Sequence, residues 1–90
     1  MTECVITALY KFVTLDDYEE IKDPLQDFCR NHDIKGTLLL AQEGINGTVA
    51  GSQSSIDALL GYFKSDVRLA DVEYKQSFAE ENPFYRMKVK

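Results

Sequence analysis

The stretch Ile34-Lys35-Gly36-Thr37-Leu38-Leu39-Leu40-Ala41-Gln42-Glu43-Gly44-Ile45-Asn46-Gly47-Thr48-Val49-Ala50-Gly51 sets two apolar runs around a segment rich in glycine and asparagine. That is the pattern of a β-hairpin. It predicts strands near 36–41 and 46–51, the first entered from Ile34 through Lys35-Gly36. Glu43-Gly44 and Asn46-Gly47 each qualify as the tip, so the turn register stays open.

Working outward, each side of the hairpin carries a helical pattern and then a strand. Upstream, Tyr18, Ile21, Leu25 and Phe28 follow helical spacing over about 15–32. Thr14 or Asp16 can cap that helix, and Asp17, Glu19 and Glu20 suit its positive dipole end. Pro24 interrupts the pattern, and Asp23-Pro24 can restart it, which predicts a kinked or two-piece helix. Before it, Cys4 to Val13 is rich in β-branched and aromatic residues and reads as a central strand. Downstream, Ser52 or Ser54 can cap a helix to Lys64 whose apolar face is Ile56, Leu59, Leu60 and Phe63. Strand character returns from Val72 through Tyr74 to Phe78. After the polar turn Glu80-Glu81-Asn82-Pro83, residues 84–90 alternate, with Tyr85, Met87 and Val89 expected to face inward and Phe84, Arg86, Lys88 and Lys90 outward.

Strand, helix, strand, strand, helix, strand is the split β-α-β order of an α+β, ferredoxin-like βαββαβ sandwich: an antiparallel sheet with two helices on one face, here with an extra C-terminal strand. Ninety residues are enough for one such domain and one modest core, with Phe28, Leu39, Val49 and Leu60 expected inside. The alternating run to Lys-Val-Lys at the end suggests a domain drawn from a longer chain. The isolated domain is expected to fold as a monomer.

Charge and ligand inventory narrow the chemistry. The net charge is −5, the opposite of the basic excess that phosphate binding favours. Any RNA contact must use a local patch. Lys75, Arg86, Lys88 and Lys90 offer one: read functionally they are an RNA-facing strip, read structurally a solvated sheet edge. The five tyrosines include possible base-stacking rings, though core or rim packing accounts for most. Cys4, Cys29 and His32 fall short of the four ligands of a structural zinc site, and neither thiol belongs to a CxxC unit, so both read as small buried hydrophobes. No metal, cofactor or catalytic residue is assigned. No run approaches the roughly 20 apolar residues of a membrane span, and no signal peptide is legible, so the cytoplasm is the default compartment and no membrane partner is expected. Within the hairpin, Glu43, Gly44, Asn46, Gly47 and Thr48 are candidates for binding or domain docking, against the plain alternative of turn chemistry. Between the first strand and helix, Val13-Thr14-Leu15-Asp16-Asp17 holds neither the glycines nor the arginine of an acylphosphatase phosphate loop.

Three segments together resemble a known family: Ala8 to Val13; Ile34 to Ala41 running into Glu43 to Gly51; and Lys75 to Ser77 with Pro83-Phe84 and Arg86. They resemble the N-terminal, acylphosphatase-like domain of the rhodanese-containing tRNA uridine hydroxylases, once regarded as sulfurtransferases. The resemblance implies a parent protein that makes 5-hydroxyuridine at the tRNA wobble position with molecular oxygen, using a cysteine of a rhodanese domain that lies outside these 90 residues. It implies an auxiliary role for this domain, which assists tRNA binding or packs on the rhodanese domain of the same chain. The competing expectation is a stand-alone ferredoxin-like domain that binds a small molecule or hydrolyses acyl phosphates.

Overall fold

A computed structural model describes residues 4–90. Strand β1 (Cys4–Phe12) leads to helix α1 (Tyr18–Asn31), the hairpin β2 (Lys35–Ala41) and β3 (Gly44–Gly51), helix α2 (Gln53–Lys64), β4 (Glu73–Ala79) and β5 (Met87–Val89). The sheet order is β4-β1-β3-β2-β5. Four strands pair antiparallel, as the ferredoxin-like reading requires, and β5 joins β2 in parallel.

The helices lie on one face, α1 over β2 and β5 and α2 over β1 and β3. That placement explains the extra strand, because Met87 and Val89 of β5 form the buried floor beneath α1. Val5 and Leu9 of β1, Leu38 and Leu40 of β2, and Ile45 and Val49 of β3 meet Leu25, Cys29, Ile56, Leu59, Leu60 and Phe63 from the helices in one core. Full burial of each large apolar side chain is worth roughly 1.5–3 kcal/mol. Strand β4 overhangs the helical layer, and Tyr74 and Phe78 stay exposed.

Several local expectations need correction. Helix α1 is continuous through Pro24, which is exposed and needs no restart at Asp23. Asp17 stands at its cap position but makes no capping bond, and neither Thr14 nor Asp16 fills that role. By contrast, the Ser52 side chain does cap α2, accepting from the Ser55 N–H. Leu39 is not a core residue: it is 44% exposed, because the inward positions of β2 are Gly36, Leu38 and Leu40. Tyr85 also points out, at 94% exposure, since the alternation of the last segment begins only at Met87. Phe28 is half-buried against the core, between His32 and Tyr62.

Candidate functional site: the open face of the sheet

The hairpin register is settled by the pairing of Ala41 with Gly44, which leaves Gln42-Glu43 as the tip. Asn46-Gly47 therefore lies inside β3. Both glycines are required by the backbone. Gly44 (φ +143°) and Gly47 (φ +153°) adopt a conformation that side chains rarely tolerate, and a Cβ would be driven into the carbonyl of Lys11 or of Thr37 on the neighbouring strand. So the glycines of the candidate loop serve close strand packing. Glu43 is exposed at the tip, while Asn46 and Thr48 project from the sheet on the side away from the helices.

That open side is laid out in rows by the strand pairing. One row reads Lys75, Ala8, Thr48, Thr37, Lys88, crossing all five strands. The next reads Glu73, Tyr10, Asn46, Leu39, and the one beyond it Phe12, Gly44, Ala41. Tyr10 and Phe12 are 45% and 78% exposed, with ring centroids 5.8 Å apart and planes inclined by 54°. Phe12, Leu39, Ala41, Gly44 and Asn46 line a shallow hollow of about 250 Å³. The Glu73 carboxylate pushes the Tyr10 phenol up, first by hydrogen bonding and then by charge. At the other end of the face, Asn82 donates to the Ala50 carbonyl at 3.0 Å, so the connection from β4 to β5 crosses there and Ala50 is fully buried.

The four basic residues singled out in the sequence do not form a single strip. Lys75 stands on β4 at one edge, whereas Lys88 stands on β5 at the other with Arg86 and Lys90 flanking it. Four strand spacings separate the edges, about 19 Å. Tyr10 is one of the five tyrosines weighed as stacking rings, but nothing in the sequence singles it out or joins it to Phe12 as a surface pair. The structure supplies the alternation that the uniformly apolar run hides: Val5, Thr7 and Leu9 are buried while Ala8, Tyr10 and Phe12 are exposed.

The segment where an acylphosphatase would hold phosphate is otherwise engaged. The Val13 and Leu15 N–H groups donate to the hairpin-tip carbonyls of Glu43 and Gln42, at 3.0 and 2.9 Å. Gln42 Nε2 donates to Asp16 at 3.2 Å. Arg68, from the connection after α2, reaches this end of α1 but is held by Asp17 at 2.6 Å and Asp66 at 2.8 Å. Its hydrogen bonds keep both carboxyls below the usual carboxylate range. Both cysteines are free and buried, and burial pushes the Cys29 thiol up to about 12. A thiol so protonated is a poor nucleophile.

Residues 4–90 match the family described as the UPF0176 acylphosphatase-like domain. The chain belongs to this family. UPF0176 is the family of rhodanese-containing tRNA uridine hydroxylases, so the resemblance read from the hairpin and its flanks holds over the described chain. Among solved structures, this UPF0176 domain is similar to an acylphosphatase from Coxiella burnetii, at 14% identity and a TM-score of 0.65, covering 99% of this chain and 94% of that one. A bacterial light-regulated adenylyl cyclase matches at 18% identity and a TM-score of 0.72, covering 98% of this chain and 28% of the cyclase. BlrP1 of Klebsiella pneumoniae matches at 17% and 0.72, covering 100% and 24%. At these identities the likeness is one of fold. The chain spans about a quarter of the length of the latter two proteins.

Proposed function

We propose that this UPF0176 domain is the auxiliary domain of a tRNA-modifying enzyme that forms 5-hydroxyuridine at the wobble position with molecular oxygen, the chemistry residing in a rhodanese domain of the same protein. The observation that carries this reading is family membership over residues 4–90. The domain's part is to present the open sheet face, with Glu43 at the hairpin tip, Asn46 and Thr48 on the central strand and Lys75, Arg86, Lys88 and Lys90 at its edges, to the RNA or to the rhodanese domain. The engagement of the 13–17 segment supports it as well. An acylphosphatase needs free N–H donors and an unpaired cation for its phosphate, and here the hairpin tip and two aspartates occupy those groups.

The test compares the full-length protein with its Glu43→Ala/Asn46→Ala variant by hydroxylated-tRNA yield, alongside acyl-phosphate turnover by the 90-residue chain. We expect a reduced yield in the variant and no turnover above the uncatalysed rate. Turnover abolished by Arg68→Gln would reverse the reading in favour of a hydrolase.

A further inference from the structure

We propose that the open face of the sheet is a platform for unpaired nucleotides, with bases stacked on Tyr10 and Phe12 and the phosphates held by lysines at the two sheet edges. This deepens the functional reading above and rests on it for the choice of a polyanion as the occupant.

The first observation is the position of the rings. Tyr10 and Phe12 sit on an inner strand and are substantially exposed, although Val5 and Leu9 of the same strand belong to the core. Burying an aromatic ring is worth far more than leaving it in water, so two adjacent exposed rings on the same face leave a large apolar surface unused. Inclined by 54°, they do not stack on one another. Between them and Leu39, the small residues Ala8, Ala41 and Gly44 leave room for planar groups to lie against the sheet, with Glu73 beside Tyr10 and Glu43 at the rim beside Phe12.

The second observation is charge. The chain carries −5, yet its carboxylates gather on the helices and loops. On the open face β4 and β5 carry Lys75 and Lys88, with Lys35 at the end crossed by the β4–β5 connection, against Glu73 and the hairpin-tip Glu43. Lys75 and Lys88 close the two ends of one row, with only Ala8, Thr48 and Thr37 between them. A row about 19 Å long, basic at both ends and neutral in the middle, suits a linear chain with regularly spaced negative charge. A protein-docking face concentrates charge depletion and apolar side chains at its centre; here the ring pair borders the basic row. Bases stack on any aromatic face with little regard to sequence, and Asn46, exposed beside Tyr10, offers a donor and an acceptor to a base edge. A duplex keeps its base faces stacked within the helix, so the ligand class is single-stranded.

The test is fluorescence anisotropy of the 90-residue chain with 5′-labelled hexauridine at two salt concentrations, with an RNA duplex as competitor. A dissociation constant on the order of 10⁻⁴ M is expected, in keeping with a short strand and a net acidic domain. Tyr10→Ala and Phe12→Ala should each weaken binding by at least about fivefold with the salt slope unchanged, and Phe12→Tyr should restore it. Lys75→Gln with Lys88→Gln should reduce the salt slope by about 1.4, two phosphates at roughly 0.7 each. Both rings are exposed, so a urea midpoint close to that of the parent should accompany every variant. Equal affinity of the alanine variants and the parent, or preference for the duplex, overturns the proposal. If Tyr10 and Phe12 matter for tRNA hydroxylation by the full-length protein without altering RNA affinity, the face belongs to a protein neighbour: this inference fails and the functional reading stands. If hexauridine behaves as expected but the full-length protein leaves tRNA unmodified, the functional reading fails alone.

Discussion

Thr7→Val should make this domain more stable. Thr7 lies on the helix-facing side of β1, paired with Val49 and Gln76, and is fully buried. Its hydroxyl has no hydrogen-bond partner among the described residues. Burying a hydroxyl without a partner costs roughly 1–3 kcal/mol on the scale of protein mutational data. Valine keeps the branched shape and strand preference while replacing the hydroxyl with a methyl group that fits among Val5, Leu9 and Val49. The expected gain is about 1–2 kcal/mol, because a relaxed side chain recovers part of the penalty. For a domain of this size that raises the melting temperature by about 5–10 °C. In urea, with a slope near 1 kcal/mol per molar, the midpoint should move up by about 1–2 M at constant slope. Paired thermal and urea melts decide the matter. A variant less stable than its parent would refute the reasoning, showing that the Thr7 hydroxyl is satisfied in solution, by an internal water for example.

Other perturbations test the register, the hairpin and the ion cluster. Leu38→Ala should cost about 2–5 kcal/mol and its neighbour Leu39→Ala less than about 1 kcal/mol; similar losses in urea melts would mean that β2 is out by one residue. Gly44→Ala should cost at least about 2 kcal/mol, because its φ is +143° and the Lys11 carbonyl blocks a Cβ; a stable, soluble variant would contradict the tight strand approach. Arg68→Met removes the partner of Asp17 and Asp66, whose carboxyls it holds low. Groups depressed on folding stabilise above their unfolded value, near 3.9, and lose that contribution as pH falls through the folded value. The stability difference between parent and Arg68→Met should therefore be present at pH 5–7, shrink below about pH 4 and shrink with added salt; a difference that is constant with pH would assign Arg68 a packing role instead.

What the sequence made legible was local. The hairpin, the apolar stripe of α2 and the inward Met87 and Val89 follow from patterns that span a few residues, and all three are present. What it hid was parity and distance. Cys4 to Val13 is apolar almost throughout, and Leu38-Leu39-Leu40 is uniform, so neither says which alternate residues face the helices. Leu39 was thus expected inside, and Tyr10 and Phe12 were not expected on a shared outer face. The basic residues look clustered because Lys75 and Lys88 are near in sequence, but strand order sets β4 and β5 at opposite edges. Arg68 lies in a connection without periodicity, and its pairing with Asp17 is a tertiary event that no spacing announces.

The inner position of β1 also orders events in time. The β2–β3 hairpin closes a two-residue turn and can form within microseconds, whereas Cys4 must find Ala79 from the other end of the chain. Contacts of such separation are slow, since loop closure precedes any reward. On the ribosome, β1 is made before the other strands of this domain. It gains a neighbour when β3 emerges, yet its other edge stays bare until residue 79 is clear of the exit tunnel. During that interval Val5, Thr7 and Leu9 lie on a half-sealed strand, and a slow stretch of translation between α2 and β4 would lengthen the period in which a wrong strand can pair there.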